Sequence, residues 1–267
     1  MKLSFINGHR SDLISIADRG LAFGDGVFTT GIVQNGRLLN RKAHIARLSN
    51  ACKQLYIQNL DEMTLSDEIA LVCKQLPQGN YVIKVIITAG ESLRGYARNN
   101  SAIANRYIQI AAFPNHYKDW QIEGVNLDVA STQLGINPLL AGIKHLNRLE
   151  QVLIKREVEL STADDLLVTD IAGQIVETSV GNVFWLKDGV WQTPLINSAG
   201  VKGIMRDKVL SLVKDISEVT VDLTHLDGIQ SMFICNCLMG IVPVKNWQDM
   251  ALSIDEVRKF QEVNLNA

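Results

Sequence analysis

The chain has 267 residues, with 26 Lys and Arg against 28 Asp and Glu, a formal charge of −2 and 47% apolar residues. That length buries a core without disulfides or metal, and 19 glycines with 5 prolines exclude collagen-like and low-complexity classes. The near-neutral charge removes any whole-molecule case for nucleic acid or an anionic membrane surface as partner.

The N-terminus turns polar at Asn7-Gly8-His9-Arg10, too early for the apolar region of a secretory signal. Residues 5–9 read as a strand with an Asn-Gly turn. Residues 31–39 carry Asn35-Gly36 between two apolar runs, the signal of a tight hairpin. Over 44–56, Ile45, Leu48, Cys52 and Leu55 recur at helical spacing, and a second helix is expected over 65–75, ended by Pro77 and Gly79. Residues 81–88 and 107–113, rich in Val, Ile and Tyr, read as buried strands. The polar stretch 114–120 opens on a proline and reads as a linker. It would divide a smaller domain, 1–113, from a larger one, 121–267.

The second part begins with a strand over 125–131. Asn147-Arg148-Leu149-Glu150 has the form of a capping box, with Asn147 as cap and Leu149, Val152, Leu153 and Leu160 as the buried face of the helix that follows. Strands are expected at 165–170, 174–178 and 182–187, and Asp188-Gly189 turns the last of these into 190–193. Gly203-Ile204-Met205-Arg206 opens a helix using Val209, Leu212, Val213 and Ile216. Strands at 231–236 and 241–245 complete the pattern. Helices and hairpins mix in both parts, so the expected fold class is α+β in two domains, not a doubly wound parallel sheet.

Several chemistries lack their motifs. Gly24-Asp25-Gly26 has no third glycine of a dinucleotide fingerprint, and no Walker loop, zincin helix or nucleophile elbow occurs. Basic residues do not interleave with aromatics as in a nucleic-acid groove. The apolar stretches 81–90 and 232–244 are too short to span a bilayer, so a cytoplasmic protein is expected. Cys52, Cys73, Cys235 and Cys237 lie in apolar runs, as reduced core thiols do. Cys235-x-Cys237 has no second Cys or His pair nearby, so no metal is expected.

Four pieces suggest one chemistry. Lys144 follows the apolar run 138–143 and precedes a helix. Burial and the helix dipole both disfavour an ammonium there and favour a neutral amine able to form a Schiff base. Glu177 ends a strand, where a carboxylate can keep a pyridine nitrogen protonated. The helix start at Gly203, Ile204 and Met205 offers backbone N–H groups to an anion, and Arg47 offers the anion a charged partner. Each piece is ordinary alone: a loop lysine, a turn glutamate, one helix start among several, a surface arginine. Together they form the inventory for pyridoxal phosphate.

At this point the chain resembles a known family. Asp18-Arg19-Gly20-Leu21-Ala22-Phe23-Gly24-Asp25-Gly26-Val27-Phe28 is similar to the N-terminal signature of the fold-type IV pyridoxal-phosphate enzymes. So are His44-x-x-Arg47-Leu48, Glu177 with Gly181-Asn182-Val183-Phe184, and Gly203-Ile204-Met205-Arg206. The ordered match spans about residues 5 to 245. Within the family, the run 140–153, Phe28-Thr29-Thr30, Arg94-Gly95-Tyr96 and Cys235-Asn236-x-Leu238-Met239 look like the lyase branch. Aminotransferases more often carry an acidic residue after the aromatic and a threonine where Cys237 stands.

The resemblance implies a two-domain fold and pyridoxal 5′-phosphate as cofactor. It implies cleavage of 4-amino-4-deoxychorismate to 4-aminobenzoate and pyruvate, with transamination of D-amino or branched-chain amino acids as the alternative. Lys144 would carry the cofactor and act as base, and Glu177 would face the ring nitrogen. Arg47, Ile204, Met205 and Asn236 would hold the phosphate. Thr30 would relay a proton, and Arg94 and Tyr96 would hold substrate carboxylates. A homodimer is also implied.

Overall fold

The computed structural model describes residues 3–92, 95–98 and 102–262. They part into two compact units. One runs to Pro114 and also takes Lys144–Asn147; the other comprises Asn115–Ile143 and the described residues from Arg148 onward. The lysine segment, expected in the second domain, thus packs with the first unit.

The first unit contains β1 (Leu3–Ile6), β2 (His9–Arg10), α1 (Arg19–Phe23), β3 (Gly26–Gln34), β4 (Arg37–Leu38), α2 (Arg41–Gln54), α3 (Glu62–Lys74), β5 (Asn80–Thr88) and β6 (Asn105–Ala112). Its strands form one antiparallel sheet in the order β2-β1-β6-β5-β3-β4. Asn35 and Gly36 both have positive φ, 48° and 76°, as the predicted two-residue hairpin turn requires. Side chains alternate along each strand. Val27, Thr29 and Val33 of β3, Ile83, Val85 and Ile87 of β5, and Ile108 and Ile110 of β6 are buried. The helices supply Leu48, Cys52, Leu65, Ile69, Val72 and Cys73 to the buried core. Of the expected stripe on α2, Ile45 and Leu55 are only half-buried, while His44 and Ala51 lie inside. The other α-helix starts earlier than its apolar pattern suggests, because Asp61 caps it, accepting from the N–H groups of Met63 and Thr64 at 2.9 and 3.3 Å.

The second unit contains α4 (His116–Glu123), β7 (Val125–Val129), α5 (Leu149–Leu160), β8 (Asp165–Thr169), β9 (Ile175–Thr178), β10 (Asn182–Lys187), β11 (Val190–Pro194), α6 (Ile204–Leu212), β12 (Ile216–Val219), β13 (Ser231–Asn236), β14 (Gly240–Trp247), β15 (Met250–Ala251) and α7 (Asp255–Glu262). Nine strands form one mixed sheet, in which β11–β12, β14–β7 and β7–β8 are parallel. Much of the stretch read as a linker is helical, in α4.

The expected capping box does not form. The helix begins at Leu149 behind Arg148, with no side-chain cap. Asn147 instead donates its amide to the Gly24 carbonyl at 3.2 Å in the first unit, and the Glu150 carboxylate accepts from the Gly135 N–H at 2.8 Å. The expected buried face is also inverted: Leu149, Val152, Leu153 and Leu160 are 80, 62, 55 and 77% exposed, while Ile154 and Val158 lie in the core. At about 100° per residue the two sets face opposite sides of the helix. On α6 only Val209 of the expected stripe is a buried helix residue; the helix ends at Leu212, and Ile216 already belongs to β12.

His44 lies under the first sheet, its Nδ1 2.7 Å from the Thr29 hydroxyl. Burial, with the Arg47 charge second, lowers its pKa to about 3. A folded-state pKa below the unfolded value means that stability is lost as pH falls below about 6.5. Between about pH 6.5 and 5 this one group should remove up to about 1.4 kcal/mol per pH unit. Denaturant unfolding of the wild type and of His44→Gln across that range should show a shallower pH slope in the variant.

Candidate active site

β4 pairs only with Val33 and Gln34 at the far end of β3. The near end is therefore an open edge, and the lysine segment closes it. The Phe28 N–H donates to the Lys144 carbonyl at 2.9 Å, and the Leu146 N–H donates to the Gly26 carbonyl at 3.0 Å, with Val27 opposite His145. This short antiparallel pairing fixes the Lys144 backbone against the sheet and sets its Nζ 4.8 Å from the centre of the Phe28 ring. Gly26 allows the approach: a Cβ there would stand 2.5 Å from the Ile87 carbonyl oxygen and 2.8 Å from Leu146 Cδ1.

Phe28 and Thr30 share the sheet face opposite the core. The register sets Phe28 beside Ile86 and Tyr107, and Thr30 beside Lys84 and Gln109. Lys84 was not singled out from the sequence. Its Nζ also stands 4.8 Å from the Phe28 ring centre, and burial lowers its pKa. The signal was available, since a lysine alternating with valine and isoleucine in a strand must face the opposite side from its apolar neighbours. A cavity of about 780 Å³ extends along this face, lined among others by Ser4, Ile86, Tyr107, Gln109 and Leu146. Arg47 lies half-buried on α2. Tyr96 is 86% exposed, with its ring 5.4 Å from that of Phe23. Arg94 lies outside the described residues.

In the second unit Glu177 is buried on β9, and its Oε2 accepts from the Val201 N–H at 2.9 Å. The Val201 carbonyl accepts from Asn182 Nδ2 at 2.8 Å, and Val201 pairs with Gly142 in a parallel bridge. Burial lowers the pKa of Arg148, opposed by the carboxylates of Glu177 and Glu150, and its Nη2 donates to the Ile143 carbonyl at 2.7 Å. Gly203 caps α6 without a side-chain hydrogen bond, so this N-terminus suits an anion. A Cβ on Gly203 would collide with Asn182 Oδ1. Ile204 and Met205, the first two helical residues, have buried side chains. Asn236 turns inward on its own chain, with Nδ2 donating to the Val180 carbonyl and Oδ1 accepting from the N–H groups of Leu238 and Met239.

The lysine segment and Gly26 fit without spare room. Gly26→Ala should cost about 1–3 kcal/mol by overpacking, seen as a lower unfolding midpoint, and should reduce activity by displacing Leu146 and the lysine segment.

The amino-transferase class IV family pattern matches residues 26–247. The chain is 35% identical over 247 residues to the aminodeoxychorismate lyase of Vibrio harveyi, covering 90% of this chain and 89% of that one. It is 27% identical over 237 residues to the D-alanine aminotransferase of Bacillus licheniformis, covering 86% and 82%. It superposes on the crystal structure of 4-amino-4-deoxychorismate lyase from Pseudomonas aeruginosa with a TM-score of 0.92 and 34% identity, over 98% of each chain. The chain belongs to the amino-transferase class IV family, the fold-type IV enzymes that work with pyridoxal 5′-phosphate.

Proposed function

We propose that the chain cleaves 4-amino-4-deoxychorismate to 4-aminobenzoate and pyruvate, a step toward folate. The observation that carries this reading is the likeness, over nearly the whole of both chains, to proteins named for that lyase activity. The open sheet face supports it: Thr30 and Lys84 stand beside Phe28, a hydroxyl and a cation suited to an anionic substrate.

The residues fit the cofactor. Lys144 offers an amine on a fixed backbone, Glu177 a buried carboxylate, and α6 an N-terminus with glycine at its cap. Pyridoxal phosphate, when bound, supplies an electron sink for the charge left by proton removal beside the substrate nitrogen. Lys144 would carry the cofactor, and its amine would take the proton from the amine-bearing carbon. Glu177 would hold a proton on the ring nitrogen. The backbone N–H groups of Ile204 and Met205 would receive the phosphate, with Arg47 as its charged partner. Asn236 acts through the 237–239 turn that its side chain braces. The enolpyruvyl oxygen leaves with the bonding pair, the ring becomes aromatic, and Thr30 relays the proton that the departing enolpyruvate takes up. Arg94 and Tyr96, with Lys84, hold the substrate carboxylates. No keto acid enters this balance.

No helix among the described residues is long and apolar enough to cross a membrane, and a cytoplasmic location is part of this reading. So is a homodimer. Leu13, Ile16 and the outer face of α5 leave large apolar side chains in solvent, a pattern that marks contact surfaces. Sedimentation should give a dimer, and a monomer would remove that part of the reading.

Purified protein loaded with cofactor should release 4-aminobenzoate from 4-amino-4-deoxychorismate with no keto acid present. Lys144→Ala should abolish release and leave nothing for borohydride to trap at that position. Steady amino transfer to 2-oxoglutarate without 4-aminobenzoate release would move the assignment to an aminotransferase.

A further inference from the structure

Arg19 opens α1 and is 3% exposed. Its Nε donates to Asp25 Oδ2 at 2.7 Å. Its Nη1 donates to Ser92 Oγ at 2.7 Å and lies within reach of the carbonyls of Gly95 and Ala97 at 3.3 and 3.2 Å. Its Nη2 donates to the Tyr96 carbonyl at 2.8 Å. One guanidinium therefore engages three consecutive carbonyls. Its carbon also stands 4.9 Å from the centre of the Phe23 ring, against which the Tyr96 ring packs. Asp25 orients the group from behind and binds Arg98 as well, through Arg98 Nε at 2.9 Å and a second contact from Nη2. Burial pushes the Asp25 carboxyl up, and the two guanidiniums more than offset it, so it is held below the usual range.

A buried arginine is a costly way to stabilise a fold, since apolar side chains of similar volume often serve as well. Here three of the guanidinium's contacts go to a loop whose central side chain, Tyr96, is left in solvent. That arrangement fits a loop whose shape matters for what it presents.

We infer that Arg19 is a positioning residue for the substrate: by holding the carbonyls of Gly95, Tyr96 and Ala97 it fixes the backbone that presents the Tyr96 hydroxyl. The inference rests on the reading that Tyr96 contacts a substrate carboxylate. Lysine at position 19 keeps the charge and loses the planar fork that three carbonyls require.

The test compares Arg19→Lys, Tyr96→Phe and the double variant in cofactor-loaded enzyme. Arg19→Lys should raise KM for 4-amino-4-deoxychorismate about tenfold with kcat within about threefold. It should leave the visible absorption of the bound cofactor unchanged and speed amide hydrogen exchange over residues 95–98. Tyr96→Phe should raise KM alone and add less than about twofold in the Arg19→Lys background, since groups acting as a unit are not additive.

If Tyr96→Phe leaves KM unchanged, the reading of Tyr96 fails and takes the inference with it. If Tyr96→Phe raises KM while Arg19→Lys changes neither KM nor exchange, the positioning role alone is overturned. Effects that multiply independently in the double variant would overturn it as well, as would a fall in kcat and melting temperature at constant KM. Should Arg19→Lys fail to fold, Ser92→Ala removes one partner and leaves the guanidinium in place. It should then raise KM about threefold with the same exchange signature, and unchanged exchange would overturn the inference.

Discussion

The pairing of Lys144–Leu146 along the near end of β3 is the constraint on which the site depends. A free lysine side chain carries about 2 kcal/mol of rotamer entropy, and a mobile backbone beneath it would add more. Two backbone hydrogen bonds remove that second source, from a strand already paired along its other edge with β5. The same pairing covers a strand edge that would otherwise expose unpaired N–H and C=O groups. The sheet alternation then turns Phe28 to the face where the amine lies, with Lys84 of the next strand against the same ring.

Val201 has a comparable part in the second unit. Its N–H meets Glu177, its carbonyl meets Asn182, and its backbone runs beside Gly142. One residue thus ties a buried carboxylate, the approach to α6 and the segment leading into Ile143. Such a network is worth most when each member is satisfied, and Asn182 contributes twice. Its amide nitrogen holds Val201, while its oxygen occupies the space that any side chain at Gly203 would need.

Much of this was legible in the sequence because it depends on local chemistry. The Asn35-Gly36 turn demands positive φ at both residues, and that pair announces it. Lys144, Glu177, Arg47 and the α6 start stand out by residue type and position, and Thr30 by the family resemblance. What escaped depends on partners distant in the chain. Leu149, Val152, Leu153 and Leu160 have helical spacing, but spacing does not say which face meets the sheet, and Ile154 and Val158 took that role. Asn147 has the form of a cap, yet the Gly24 carbonyl, 123 positions away, claims its amide. Lys84 stands beside Thr30 only through strand register, which no local pattern reports. Tyr96 was noticed as a motif residue, while the arginine that holds its loop read only as part of a signature.

The thiols bear on the cofactor's own reactivity. Pyridoxal phosphate is an aldehyde, and thiolates add to aldehydes as amines do. Three of the four cysteines are withdrawn from that competition. Burial pushes Cys52 up to about 12 and Cys73 up to about 11, and it drives Cys235 upward as well. A thiol kept protonated is a poor nucleophile. The hydrophobic packing that fills both cores therefore also silences these three sulfurs as competitors for the aldehyde.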